Sequence, residues 1–225
     1  MRGSSARTPR RLRFNVWKRL GLAAVTVGIA GVALVGCAAP DEDGVSDARV
    51  AESFEAMYKQ WLTEPDLTEM DRLVLDEAQR TGRVTQAQYQ DAIDRLVSCM
   101  ADAGYALQLT TYPSGVIEVQ PPVAVPDGDA LMSSKHFCEK TTSIYAIMGY
   151  EMQQGNPQLY ADPTVVAFNC LQEAELLIST ATVDDVKRFM YSSERDDLPF
   201  DPEDFGVKAC FYGAGMAYGT VAEAE

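Results

Sequence analysis

Five cysteines and one histidine are the side chains in this 225-residue sequence best suited to covalent or metal chemistry. Cys99, Cys138, Cys170 and Cys210 include no C-x-x-C pair, and His136 is the lone imidazole, so a tetrahedral zinc site lacks its ligand spacing. Ser133 and Ser134 lie near His136, but no G-x-S-x-G surrounds them, which leaves a nucleophile–base–acid relay without a recognisable frame. Carboxylates are so numerous that no glycosidase-like pair stands out. The acidic stretch 194–204 offers Asp196, Asp197, Asp201 and Asp204 to a calcium ion, yet it lacks the turn glycine and the spacing of such a loop. Gly213-x-Gly215 follows an expected helix instead of a strand, so it suits close helix approach better than a phosphate. Trp61, Tyr112, Tyr145, Tyr160, Tyr212 and Tyr218 could stack on a sugar or a cation, although most fall on apolar helical faces that suit core packing. No catalytic residue, metal or cofactor is expected.

The fifth cysteine, Cys37, has a different setting. Residues 1–19 carry seven basic residues and no acid, and an apolar run of 16 residues, Leu20–Val35, follows. That run is short for a spanning helix, which needs about 20 residues. A basic n-region, an apolar stretch and small residues before a cleavage point form a secretory signal. The sequence Leu34-Val35-Gly36-Cys37 resembles the lipobox of bacterial lipoproteins. The resemblance implies that Cys37 is lipidated, becomes the first mature residue and anchors the chain on the outer face of the cell membrane. Arg10-Arg11 with Phe14 also resembles a twin-arginine export signal.

Residues 1–36 are therefore read as signal peptide. Without their seven basic residues, 12 basic side chains face 33 acidic ones, a formal −21. Such a surface argues against nucleic acid and against direct adsorption to anionic lipid. Cationic ligands and basic protein partners are compatible with it. In an exported chain, four cysteines read as two disulfides. Three pairings are open; separations of 39 and 40 residues favour Cys99–Cys138 and Cys170–Cys210.

The elements that would hold these residues are mostly helical. Residues 37–48 read as the lipidated cysteine and an acidic tether, and 49–225 as a single domain. From Val50, apolar residues Phe54, Met57 and Trp61 recur at helical spacing up to Pro65. Thr68 with Asp71 starts a second helix that Gly82 stops. Thr85 with Gln88 caps a third, whose apolar face is Tyr89, Ile93, Leu96 and Met100, with Gly104 closing it. Alternation over 106–112 and 116–120 around Pro113-Ser114-Gly115 predicts a β-hairpin. Asp129 is expected to cap one helix running to Tyr150, before the break at Gly155-Asn156-Pro157. Further helices are expected over 164–178, after Thr182 with Asp185, and after Asp201-Pro202.

Tyr89 and Tyr160 each precede a cysteine by ten residues, and each half reaches its second cysteine about 40 residues later. This suggests an internal duplication of a helix–connector–helix unit, with halves 84–150 and 157–219. The 106–120 hairpin has no counterpart in the second half. The leader, the tether and the pattern Tyr-x-x-Ala-x6-Cys-Met-x-x-x-Gly-Tyr from Tyr89 to Tyr105 resemble small Cys-containing surface lipoproteins of high-GC Gram-positive bacteria. The resemblance implies location and carries no activity with it. The expectation is a mainly α domain with one short hairpin and two disulfides. Its expected role is to bind another envelope or transporter protein without catalysis; the alternative is binding of a small molecule or polysaccharide, and a cell-wall enzyme ranks third.

Overall fold

The computed structural model describes residues 47–192 and 196–216, which lie within one compact unit, Asp43–Glu225. Cys37, the leader and Tyr218 lie outside the described residues. The described residues form eight helices and a single antiparallel hairpin: α1 Phe54–Trp61, α2 Glu69–Thr81, α3 Gln86–Asp102, β1 Gln108–Thr111, β2 Ile117–Gln120, α4 Gly128–Thr141, α5 Ile144–Gly155, α6 Pro163–Glu173, α7 Val183–Tyr191 and α8 Phe205–Gly213. None of the described helices is long and apolar enough to cross a membrane.

Local chemistry sets most boundaries. Ser53, Thr68, Thr85, Asp127, Asp162, Thr182 and Asp204 accept backbone N–H groups at helix starts, and α3 and α7 carry full capping boxes. Gly82 ends α2 with φ 76°, a conformation that costs a glycine little. In the hairpin, Gly115 turns at φ 82° and pairs its N–H with Tyr112 O at 2.9 Å, setting Thr111 opposite Ile117.

Five boundaries differ from the sequence expectation. Val50 is not helical: its N–H donates to Leu159 O at 2.9 Å, in a short bridge between residues 48–50 and 159–161. The helix expected to run to Tyr150 is two helices, α4 and α5, and its cap is Asp127, not Asp129. Thr142 breaks it in an extended conformation, its hydroxyl donating to Cys138 O at 2.7 Å, while the Thr141 hydroxyl donates to Phe137 O; such side-chain bonds compete with helix continuation. α6 stops at Glu173 because Glu175 turns left-handed, φ 58°, and Leu176 N–H reaches back to Leu171 O. α8 starts from Asp204, whose Oδ1 accepts Gly206 and Val207 N–H; Asp201 instead bonds Glu203 N–H in the turn ahead of it.

α5 is the central element. It packs on α1, α2, α3 and α8, and its Ala146, Ile147, Gly149 and Tyr150 are buried. The larger apolar core draws on α1–α5 and the hairpin, with Tyr58, Leu75, Tyr89, Ile93 and Met100 among its most buried residues. A smaller core joins α6, α7 and α8 through Leu171, Val186, Phe189, Val207 and Phe211. Disulfides join Cys99 of α3 to Cys138 of α4 and Cys170 of α6 to Cys210 of α8, with Cα separations of 5.7 and 5.5 Å. Tyr89 and Tyr160, matched in the proposed duplication, sit in different settings: Tyr89 inside α3 and Tyr160 in the connector before α6.

Candidate functional site

One cluster of polar side chains inside this helical framework lies where α3, the hairpin, α5 and α8 meet. α5 places Tyr150 and Glu151 consecutively, so the two side chains leave the helix in different directions. Tyr150 stacks on Tyr89 of α3, ring centroids 4.4 Å apart. Glu151 Oε1 lies 3.3 Å from the Tyr89 hydroxyl and 3.5 Å from that of Tyr212 on α8. The Tyr89 hydroxyl accepts Ile117 N–H at 2.8 Å, which ties the hairpin to α3 and leaves its own proton for Ile117 O or Glu151.

A second carboxylate, Glu118, is buried on β2. Its Oε2 accepts from the Tyr112 hydroxyl at 2.6 Å and its Oε1 from Gln120 Nε2 at 2.9 Å. The Tyr112 ring packs against Tyr212 and Phe205, at 5.8 and 5.0 Å between centroids. Four tyrosines and two carboxylates thus form one cluster. Burial pushes the Glu151 carboxyl up to about 7, with the two tyrosine hydrogen bonds opposing part of the shift. Burial first, and the adjoining carboxylates second, raise the hydroxyls of Tyr89, Tyr112 and Tyr212 above the ordinary tyrosine range.

Glu151 is also open to one side. It lines a groove of about 320 Å³ with Met148, Met152, Tyr160, Val166 and Tyr212. Among the described residues, the end of α8 fills little of this groove, because Gly213, Ala214 and Gly215 bring almost no side chain to it. Gly213 also meets Gly155 at the α5–α8 crossing: a Cβ on Gly155 would stand 2.4 Å from Gly213 O. The close helix approach expected of the Gly213–Gly215 run is therefore made against Gly155. Asn156, Tyr160 and Val166 continue into a second depression of about 370 Å³ lined by Asn169 and Glu173. Arg49, beside the groove, places its guanidinium 4.9 Å over the Tyr160 ring and donates to Gln158 O.

Of the residues singled out in the sequence, Tyr112, Tyr160 and Tyr212 converge here. Trp61 and Tyr145 pack edge to face elsewhere, centroids 5.5 Å apart. His136 is exposed on α4, where Ser133 donates its hydroxyl to Asp129 O at 2.9 Å. Asp201 and Asp204 bond backbone N–H groups, and among the described residues no group of three His, Cys, Asp or Glu side chains is placed to hold a metal. Glu118 and Glu151 were not singled out. Strand alternation around Ile117 and Val119 sends Glu118 to the face expected to be solvated, and Glu151 falls in a polar run ending α5. The sequence held no signal for either.

Against this geometry, comparison with known protein families, curated proteins and solved structures finds no match.

Proposed function

We propose that this chain is a lipid-anchored, non-catalytic binding protein on the outer face of the cell membrane, and that it engages another envelope protein. The supporting observation is the outer face of α4. Phe137, 63% exposed, stands at a depression of about 550 Å³ that runs along the Cys99–Cys138 seam with Asp102, Ala103, Ser133 and Ser134. Met132 and Val123 expose further apolar surface in the same part of the chain. An exposed aromatic over a wide, shallow hollow, backed by a covalent staple, offers a preformed contact for a protein surface. Anchoring rests on the lipobox resemblance at Cys37.

The test is photo-crosslinking in intact cells from a reactive amino acid installed at position 137. Repeated capture of one envelope protein, lost on Ser134→Arg, supports the reading; absence of any specific adduct contradicts it. Cys37→Ala is expected to release the protein from membranes or block its maturation, and unchanged processing with membrane retention counts against the anchor.

A second reading, a binder of small molecules, is favoured by one observation: the groove over Glu151, which is at the lower end of ordinary ligand-pocket volumes.

A further inference from the structure

We infer that the α5–α6–α8 groove is a binding site for a small organic ammonium ion, with the Glu151 carboxylate as counter-ion and the methionine and tyrosine walls holding the apolar body. The inference rests on the small-molecule reading and gives that ligand its chemical class.

Charge is the first argument. Among the described residues lining the groove, Glu151 is the one charged side chain. Its two neighbours inside the protein, Tyr89 and Tyr212, are neutral hydroxyls at 3.3 and 3.5 Å. Arg49, next to the rim residue Val50, is engaged by Gln158 O and the Tyr160 ring. A half-buried carboxylate without a cation costs folding free energy, and groups held at such a cost concentrate at functional sites. An ammonium ion entering the groove supplies the missing charge.

Shape and surface chemistry are the second argument. Met148 and Met152 present polarisable thioethers one helical turn apart, and Tyr212 adds an aromatic ring to the lining. Aromatic faces attract ammonium groups, and methionine accommodates alkyl chains of varied shape. A hydrated metal ion would find one carboxylate here, far fewer oxygens than calcium or magnesium takes. An anion would meet Glu151 directly. An amine with an alkyl or aryl body suits both parts of the groove.

Proton linkage follows from the same arrangement. The titratable and charged groups facing Glu151 are Tyr89 from α3, Tyr212 from α8 and, through Tyr212, Tyr112 and Glu118 from the hairpin; Tyr160 and Arg49 border the groove on the connector side. Burial lifts the Glu151 carboxyl to about 7. Ammonium binding therefore competes with its proton and strengthens as pH rises.

The test is calorimetric titration of the full-length protein in maltoside micelles with hexylammonium and benzyltrimethylammonium, with hexanol as the neutral comparison. Both cations are expected to bind saturably at one site and hexanol not to bind. Glu151→Gln is expected to weaken cation binding by about tenfold or more. Affinity should be about thirtyfold lower at pH 5.5 than at pH 8. Ala161→Phe, on the exposed rim, should lower affinity while leaving the melting temperature unchanged, which separates loss of the site from loss of the fold. Absence of saturable binding, equal binding of hexanol, or cation affinity unaltered in Glu151→Gln overturns the inference. Crosslinking from position 137 is expected to survive Glu151→Gln, so either reading can fail without the other.

Discussion

Asp71 Oδ1 accepts the backbone N–H of Tyr145, 74 residues away in sequence, at 3.1 Å, so a carboxylate in the first turn of α2 caps the start of α5. The same side chain accepts the Thr68 hydroxyl on Oδ2 at 2.7 Å and is almost fully buried. Ser143, which occupies the N-cap position of α5, makes no cap bond, and its buried Oγ has no partner among the described residues. Asp71 has taken its place.

This division of labour predicts an unusual ranking. Thr68→Ala removes one cap and should cost about 1 kcal/mol. Asp71→Ala strands the Tyr145 N–H at α5 as well and should cost about 2–4 kcal/mol. Ser143→Ala, which deletes only an unpartnered hydroxyl, should be neutral or slightly stabilising. Urea unfolding of the three variants tests the ranking, and an Asp71→Ala loss no greater than that of Thr68→Ala would sink it.

At the α5–α8 crossing, Gly155 is expected to tolerate no side chain. A Cβ there would lie 2.4–2.7 Å from backbone atoms of Gly213, which cannot rotate away. Gly155→Ala should cost about 3 kcal/mol, at the upper end for overpacking, and should part α8 from α5 at Tyr212. Gly104→Ala provides the comparison, because nothing lies within 4 Å of its would-be Cβ and only its left-handed φ of 91° is penalised. Thermal unfolding showing equal losses for the two would refute the close-approach explanation.

Stability should fall between pH 5 and pH 8. Glu151 has a folded value raised above its unfolded one, so its contribution is fully present below about pH 4.5 and is lost as pH rises through about 7. The loss amounts to at most about 3 kcal/mol. Asp71, also raised by burial, acts in the same direction. Glu55 and Asp185, held low by hydrogen bonds from Ser53 and Thr182, act in the opposite direction at the acid end, below the window in which Glu151 titrates. Melting temperatures across this range should drop for the wild type and drop clearly less for Glu151→Gln, in which the Asp71 contribution remains. A parallel drop in both would assign the effect elsewhere.

The two disulfides should differ in what they protect. Each closes a loop of about 40 residues, worth roughly 4 kcal/mol in the chain-entropy model. Cys170–Cys210 staples the smaller core, whose three helices bury fewer apolar residues. The Cys170→Ser/Cys210→Ser variant should lose hydrogen-exchange protection in α6–α8 before α1–α5, whereas the Cys99→Ser/Cys138→Ser variant should lower stability without separating the two. Alkylation of the denatured wild type should find no free thiol among these four residues. Uniform loss of protection in both variants would contradict the assignment.

What the sequence determined by itself is local. The starts at Thr68, Thr85 and Thr182, the stop at Gly82 and the turn at Gly115 are each decided within about four residues, by a side chain reaching its own backbone or by a glycine accepting positive φ. The buried face Tyr89–Ile93–Leu96–Met100 was legible for the same reason, because helical periodicity is a local property. Tertiary structure decided what no short window contains. Asp71 reads as half of a capping pair until Tyr145 is brought to its other oxygen, and the α4–α5 break at Thr142 depends on that cap as well as on threonine hydroxyls. Glu118 and Glu151 read as solvated acids until α3, α8 and the hairpin close over them. Gly155 reads as a helix stop until Gly213 arrives against it. Burial and the partners of buried polar groups are set by elements tens of residues apart in sequence, so these carboxylates acquire their unusual environment only when the chain packs.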